Sequence, residues 1–247
     1  MTSEQPDAAE LSILFEDDDL IAVAKPSGLF VHRSDVDRSV DAALLQLVRD
    51  HSGSFVYPVH RLDRATSGVV VFAKSAAVAA AMGQLFSGRA VAKTYHALVR
   101  GHCPLNGEVN DPLIPARGRG KPSDHPHAVA QEAVTQFTTL DRFEIPQPSG
   151  RYATTRCSLV EVRPLTGRFH QIRRHFNYIS HPVIGDTSHG DGRQNQFFRQ
   201  QFEVTRLMLA AVKLQFAHPV NRQETVITAA PEESFQAVIQ RLSAYRV

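Results

Sequence analysis

From Leu11 to Gly28 the chain sets two short apolar runs on either side of an acidic turn, LSILFEDDDLIAVAKPSG, and closes them with Pro26 and Gly28. That pattern predicts a β-hairpin. In SVDAALLQLVRD the apolar positions Val40, Ala43, Leu44, Leu47 and Val48 recur at helical spacing behind Ser39, a residue suited to an N-cap. An amphipathic helix over a core is expected there. Thr66, Ser67 and Gly68 then read as a turn before a buried strand, Val69 to Phe72, and Ser75 as the cap of an alanine-rich helix ending near Gly88.

KTYHALVRG alternates as a half-buried strand does, whereas residues 101 to 130, rich in Pro, Gly and His, read as a long irregular connection. Beyond it, AVTQFTTL, RYATTRCSLVEVRP and RLMLAAVKLQFAHP read as strands. GRFHQIRRHFNYI reads as a helix entered through Gly167, and Pro231, Glu232 and Glu233 start a final helix. Strands outnumber helices without strict alternation, which predicts a mixed-sheet α+β domain rather than a doubly wound one.

Composition changes this picture little: 247 residues with a net charge of +2 suffice for a packed core and announce no partner. The distribution of charge says more. Residues 1 to 20 hold seven acids and no Lys or Arg, so 1–10 reads as an acidic flexible tail, with 11–247 a single domain. Residues 151 to 206 hold nine arginines (151, 156, 163, 168, 173, 174, 193, 199 and 206) against four acids, and no lysine. Arginine favours bidentate contacts to phosphate, so this segment is either an RNA-facing surface or a solvated face with scattered ion pairs. Cys103 and Cys157 are too few for a disulfide framework or a cysteine-rich zinc site. No leader-like segment and no apolar run of about 20 residues occurs, so a cytoplasmic protein is expected.

Asp63 is the one carboxylate between Asp50 and Glu108, an interval with six cations: Arg61, Arg64, Lys74, Arg89, Lys93 and Arg100. A cation about 4 Å away contributes up to about 4 kcal/mol at an effective dielectric near 20, enough to keep a partly buried aspartate ionised. Such a group suits a nucleophile or base, although an aspartate tied to an arginine in a turn would look the same. Tyr95, flanked by Lys93 and His96, is either a core aromatic or a platform on which a base could stack. His170 and His175 are five apart, off the spacing of zinc-binding helices. No P-loop, GxGxxG or GxSxG pattern occurs, and neither cofactor nor metal is expected.

HRLDRATSG (60 to 68) resembles the signature of the RluA family of pseudouridine synthases, which isomerise uridine within RNA. VAKPSGLFVH (23 to 32) resembles the first motif of that family, KTYHALVRG the segment with its active-site tyrosine, and LTGRFHQIRRH with HPVIGD its third motif. The resemblance runs from Leu11 to about Pro231. It implies the pseudouridine synthase fold, a mixed, mostly antiparallel sheet with flanking helices and a central active-site cleft. Asp63 then matches the catalytic aspartate, Tyr95 the tyrosine packing on the target base, and Arg173 the arginine pairing with the aspartate. Arg61 matches a residue implicated in extruding the nucleotide, and His60, Lys25, Arg168 and Arg174 are expected to bind substrate.

GRYATTRCSLVEVRPLTGRFHQIRRH and IGDTSHGDGRQNQFF resemble the tRNA pseudouridine-65 synthase branch, which makes tRNA the expected partner. Ala210 stands where the family usually has a histidine. The tail before Leu11 is too short for an S4-like RNA-binding domain, so substrate choice is expected from the catalytic domain. The loop 101 to 130, with Arg117, Arg119 and Lys121, and the segment GDGRQNQFFRQ are the candidates for holding the tRNA. The alternatives are the same reaction on ribosomal RNA, or a non-catalytic RNA-binding module on this fold. A metal-dependent nuclease would need a carboxylate cluster not evident in the sequence.

Overall fold

In a computed structural model, which describes residues 11–31, 44–117, 121–122 and 129–247, the acidic turn folds the first two apolar runs against each other. Asp17 closes it, its Oδ1 accepting the N–H groups of Asp19 at 2.9 Å and Leu20 at 2.7 Å. The hairpin comprises β1 (Ile13–Glu16) and β2 (Leu20–Lys25). Helix α1 (Leu44–Ser52) turns Leu44 and Val48 onto the sheet; the Ser39 cap expected for it lies outside the described residues. After β3 (Tyr57–Pro58), strand β4 (Ser67–Ala73) is buried along its whole length. The expected turn therefore shifts: Thr66 N–H donates to the Asp63 carbonyl at 3.0 Å, while Ser67 and Gly68 already belong to the strand. Helix α2 (Ala76–Ser87) follows, with Ser75 Oγ accepting the Val78 N–H at 3.2 Å and Gly88 at its end.

Strand β5 (Ala92–Arg100) matches its alternating pattern. The connection expected to be irregular carries an edge strand, β6 (Asn106–Asn110), and a small pair, β7 (Ala116–Arg117) with β8 (Lys121–Pro122). Arg119 lies outside the described residues. Strands β9 (Val134–Ile145) and β10 (Thr155–Pro164) form a long antiparallel pair. Helix α3 (Gln171–Tyr178) starts four residues later than Gly167, and α4 (Gly192–Phe202) makes the GDGRQNQFFRQ segment mostly helical. Then come β11 (Leu209–Ala217), β12 (Glu224–Thr228) and α5 (Glu233–Leu242).

Ten strands join in one sheet in the order β1-β2-β4-β11-β5-β10-β9-β6, with β12 added on β11 and β3 on β4. Only β4 and β11 pair in parallel, so the sheet is mixed and mostly antiparallel, as the α+β expectation requires. Helices α1 and α3 cover one face through Leu44, Val48, Ile172 and Phe176. On the other face lie α2, α4 and α5, through Val78, Met82, Phe198 and Phe235. Among the described residues no helix is long and apolar enough to cross a membrane.

The centre of the sheet is a seam. β4 and β11 share two register pairs, Ser67 with Ala210 and Gly68 with Ala211, after which the edge of β4 turns to β3 at Phe72 and Ala73. Gly68 makes the approach possible: its φ is +115°, and a Cβ there would lie 2.0 Å from the Ala211 carbonyl oxygen. Between the two partners the Val71 N–H of β4 donates to His60 Nε2 at 3.0 Å. An imidazole thus satisfies a backbone donor that a strand would otherwise take.

Candidate active site

A cleft of about 700 Å³ opens where β4 and β11 part, within the range of ligand pockets. The loop before β4 enters it, carrying Asp63, and is clamped from below by the Pro26–Gly28 turn. Ser27 Oγ donates to the Ala65 carbonyl at 2.8 Å, Gly28 N–H to Arg64 O at 2.8 Å, and Arg64 Nε to Gly28 O at 2.9 Å. Lys25 corrects an expectation here. It is 1% exposed, absent from the cleft lining, and its Nζ donates to three carbonyls: Pro26 and Leu29 at 2.8 Å and Arg64 at 3.0 Å. Burial, with the nearby Arg206 charge, lowers it to about 7. Lys25 fastens the Asp63 loop and does not line the cleft.

Arg173 reaches Asp63 from α3. Its Nη1 donates to Asp63 Oδ2 at 3.2 Å, while Nε and Nη2 donate to Asp186 Oδ2 and Oδ1 at 2.7 and 2.8 Å. Asp186 also accepts the N–H groups of Ser188 at 2.8 Å and His189 at 3.0 Å. Burial alone would raise the Asp186 carboxyl, but the Arg173 hydrogen bonds and charge outweigh it and hold it below the usual range. Burial likewise works against the Arg173 cation, and Asp186 followed by Asp63 raises it above its ordinary value. The guanidinium is therefore a fixed positive charge with one N–H arm left for the half-buried Asp63. Asp186, in the HPVIGD stretch, is a residue that sequence reasoning missed.

Tyr95 stands on the cleft face of β5, and burial, then the charge on Asp63, raise its phenol above the ordinary value, so the ring stays neutral. His170, also not foreseen, adopts a left-handed conformation (φ 52°), stacks on Phe169, and places Nε2 3.7 Å from Asp63 Oδ2. Burial lowers it to about 4 despite that neighbour, so it is an uncharged wall of the site at neutral pH.

Of the other expected residues, Arg61 lines the cleft, exposed and without an ion-pair partner among the described residues. Arg168 lines it too, its Nε donating to Glu132 O at 3.0 Å. His60 lines it while holding the Val71 amide and stacking on Phe86; burial, then Lys93, lower it to about 4. Arg174 points elsewhere, donating to the Ile114 carbonyl at 3.0 Å, and is not part of the cleft lining. Ala210 faces the α4–α5 side of the sheet with Leu98 and Phe198, whereas Leu209 and Ala211 face the cleft side. The departure at Ala210 is therefore behind the site.

Among the described residues, Asp17, Asp19 and His218 bring possible metal ligands within 4.8 Å of one another, far along the sheet at the first hairpin turn. His218 Nδ1 accepts the N–H groups of Val220 and Asn221 at 3.3 Å, which puts the ring proton on Nε2, 3.1 Å from Asp17. A metal-binding imidazole needs the reverse arrangement, so the trio fits a metal poorly.

Tyr95 and Asp63 thus line one cleft, and Arg173 aims the Asp63 carboxylate through a charge-assisted hydrogen bond. The family model described as RNA pseudouridylate synthase matches residues 19–178. The chain is 41% identical over 232 residues to tRNA pseudouridine synthase C of Vibrio vulnificus, covering 94% of this chain and 95% of that one. It is 43% identical over 232 residues to the protein of the same name from Vibrio cholerae, covering 93% and 94%. Among solved structures, Human RNA Pseudouridylate Synthase Domain Containing 1 superposes with a TM-score of 0.71 at 23% identity over 95% of each chain, a likeness of fold.

Proposed function

The chain belongs to the RNA pseudouridylate synthase family, and from that premise we propose that it isomerises one uridine of a transfer RNA, uridine 65 of the acceptor and T-stem region, with Asp63 as the catalytic residue. The observation that carries this reading is the Asp63 carboxylate 3.2 Å from an Arg173 whose other N–H groups are fixed by Asp186. An ionised carboxylate so held can either attack C1′ of the ribose or take the C2′ proton. Either route breaks the bond from C1′ to N1, the uracil turns while held against Tyr95, and C5 then bonds to C1′. C5 loses a proton and N1 gains one, so the reaction is an isomerisation needing no cofactor. Arg61 assists extrusion of the nucleotide, a step that also separates the base from its stack.

The transfer RNA substrate is supported by the names of the bacterial relatives and by the third-motif segments quoted above. A single catalytic domain, 11–247, acting in the cytoplasm, selects the RNA through the cations at the mouth of the cleft. The test is pseudouridine mapping of tRNA and rRNA incubated with wild-type protein and with Asp63→Asn, without added metal. One tRNA site modified by wild type alone is the expected result. Modification of rRNA instead would overturn the substrate, and binding without modification would leave an RNA-binding module.

A further inference from the structure

We propose that Lys93 is a second catalytic cation of this site, the group that receives the negative charge released onto the uracil when its bond to C1′ breaks. The proposal rests on the pseudouridine-forming reading of Asp63. Lys93 and Tyr95 are two residues apart on β5, so their side chains leave the same face about 7 Å apart along the strand, and both line the cleft. A base lying on Tyr95 has this ammonium beside it.

Lys93 is also an unusual lysine. It is half-buried, its Nζ donates to the Thr166 carbonyl at 2.9 Å, and among the described residues no carboxylate lies within ion-pair distance. Two of its three N–H donors remain available. Burial, followed by the Arg89 charge, lowers it to about 8. An unpaired, partly desolvated cation disfavours folding, and a methionine would fill the same space better. The other cations serve a different place: Arg61 is exposed at the mouth, and Arg89 pairs there with Glu132, where phosphates would pass. Lys93 is less exposed than either, on the same strand face as Tyr95.

The electron bookkeeping matches that position. As the bond from C1′ to N1 breaks, its electron pair stays on the uracil, spread over N1, O2 and O4, while Asp63 bonds to C1′ or takes the C2′ proton. Lys93 donates hydrogen bonds to one of those oxygens and transfers no proton. Once C5 has bonded to C1′, Asp63 is released or returns its proton, C5 loses its proton, N1 gains one, and the charge is gone. The interaction thus exists only between the two bond changes, where it lowers the barrier rather than tightening binding.

Lys93→Met and Lys93→Arg, each checked for folding by its urea midpoint, are compared with wild type in single-turnover reactions at saturating tRNA and in salt-dependent binding. Lys93→Met is expected to slow the saturating rate by about 10²- to 10³-fold with affinity within about 3-fold, and Lys93→Arg to restore most of it. The charged and titratable groups sharing the cavity with Lys93 are His60, Arg61 and Asp63 from the loop before β4, Arg89 from the turn after α2, Tyr95 from β5, and Arg168, His170 and Arg173 from the α3 region. Lys93 is lowered to about 8, so the wild-type rate falls as pH rises through about 8 and the Lys93→Arg rate does not. A Lys93→Met rate within about 3-fold of wild type overturns the proposal. So does a loss of affinity with the salt slope reduced by about one and the saturating rate unchanged, the mark of a phosphate contact. If wild type forms no pseudouridine in any RNA, the underlying reading falls and this proposal with it; if wild type is active and Asp63→Asn is not, only the Lys93 comparison decides.

Discussion

At the scale of single residues, the site is a carboxylate held by an arginine that is itself held by a second carboxylate. The two acids have opposite duties. Asp186 is fully enclosed and makes both short bonds to Arg173, so Asp186→Ala strands a buried guanidinium and should cost about 3–5 kcal/mol of stability. Asp63 is partly open to solvent and makes one longer contact, so Asp63→Ala should cost within about 1 kcal/mol while abolishing turnover. Urea denaturation of both variants, paired with pseudouridine formation, separates them. The sign of the pH effect follows: the folded-state Asp186 carboxyl lies below its unfolded value near 3.9, so its contribution is present above that value and is lost as pH falls through the folded one. Wild type should therefore show an acid limb of stability below about pH 4 that is shallower in Asp186→Ala. Asp63 was legible in the sequence as the lone acid among six cations. Asp186 was not, because the chain offers no local sign that its partner lies 13 residues back on a helix. Lys25 was misplaced for the same reason: charge suggests a ligand, but three backbone carbonyls had already enclosed it.

At the scale of elements, periodicity found the strands and most helices, and failed where one side chain sets the backbone. The α3 boundary is such a case. Gln171 Oε1 accepts from the Arg168 N–H at 3.0 Å and from Thr166 Oγ1 at 2.7 Å, while its Nε2 donates to Val134 O and Thr135 Oγ1. Those four bonds hold 166 to 170 as a loop against β9, so the helix begins only at Gln171 and Arg168 is freed to face the cleft. Strand β6 was hidden because NGEVN, polar at most positions, pairs along the outer edge of the sheet, where little burial is needed. The seam gives the sharpest prediction at this scale. Gly68→Ala forces an L-residue to φ +115° and its Cβ into the Ala211 carbonyl, so it should cost roughly 3 kcal/mol or more, and lower activity with it. An unchanged urea midpoint would show that β4 can shift along β11.

At the scale of the whole molecule, four of the nine arginines of the arginine-rich segment are engaged in ion pairs. Arg156 pairs with Glu144, Arg163 with Glu161, Arg173 with Asp186, and Arg206 with Glu232. Arg151, and Arg193 and Arg199 on α4, remain exposed without ion-pair partners among the described residues, as does Arg61 at the cleft. Binding of tRNA followed against salt concentration should accordingly lose about one unit of slope in Arg61→Ala and none in Arg163→Ala. The position of β11 has a consequence for how the chain is made. This strand sits between β4 and β5 at the middle of the sheet, yet it is encoded by residues 209 to 217, near the end of the sequence. During synthesis the earlier strands emerge with their inner edges unpaired, and the two halves of the cleft are joined only when residues 209 to 217 arrive. Asp63 and Arg173, 110 residues apart in sequence, lie on elements that this strand joins, so their contact is expected to form only after the central strand has been inserted.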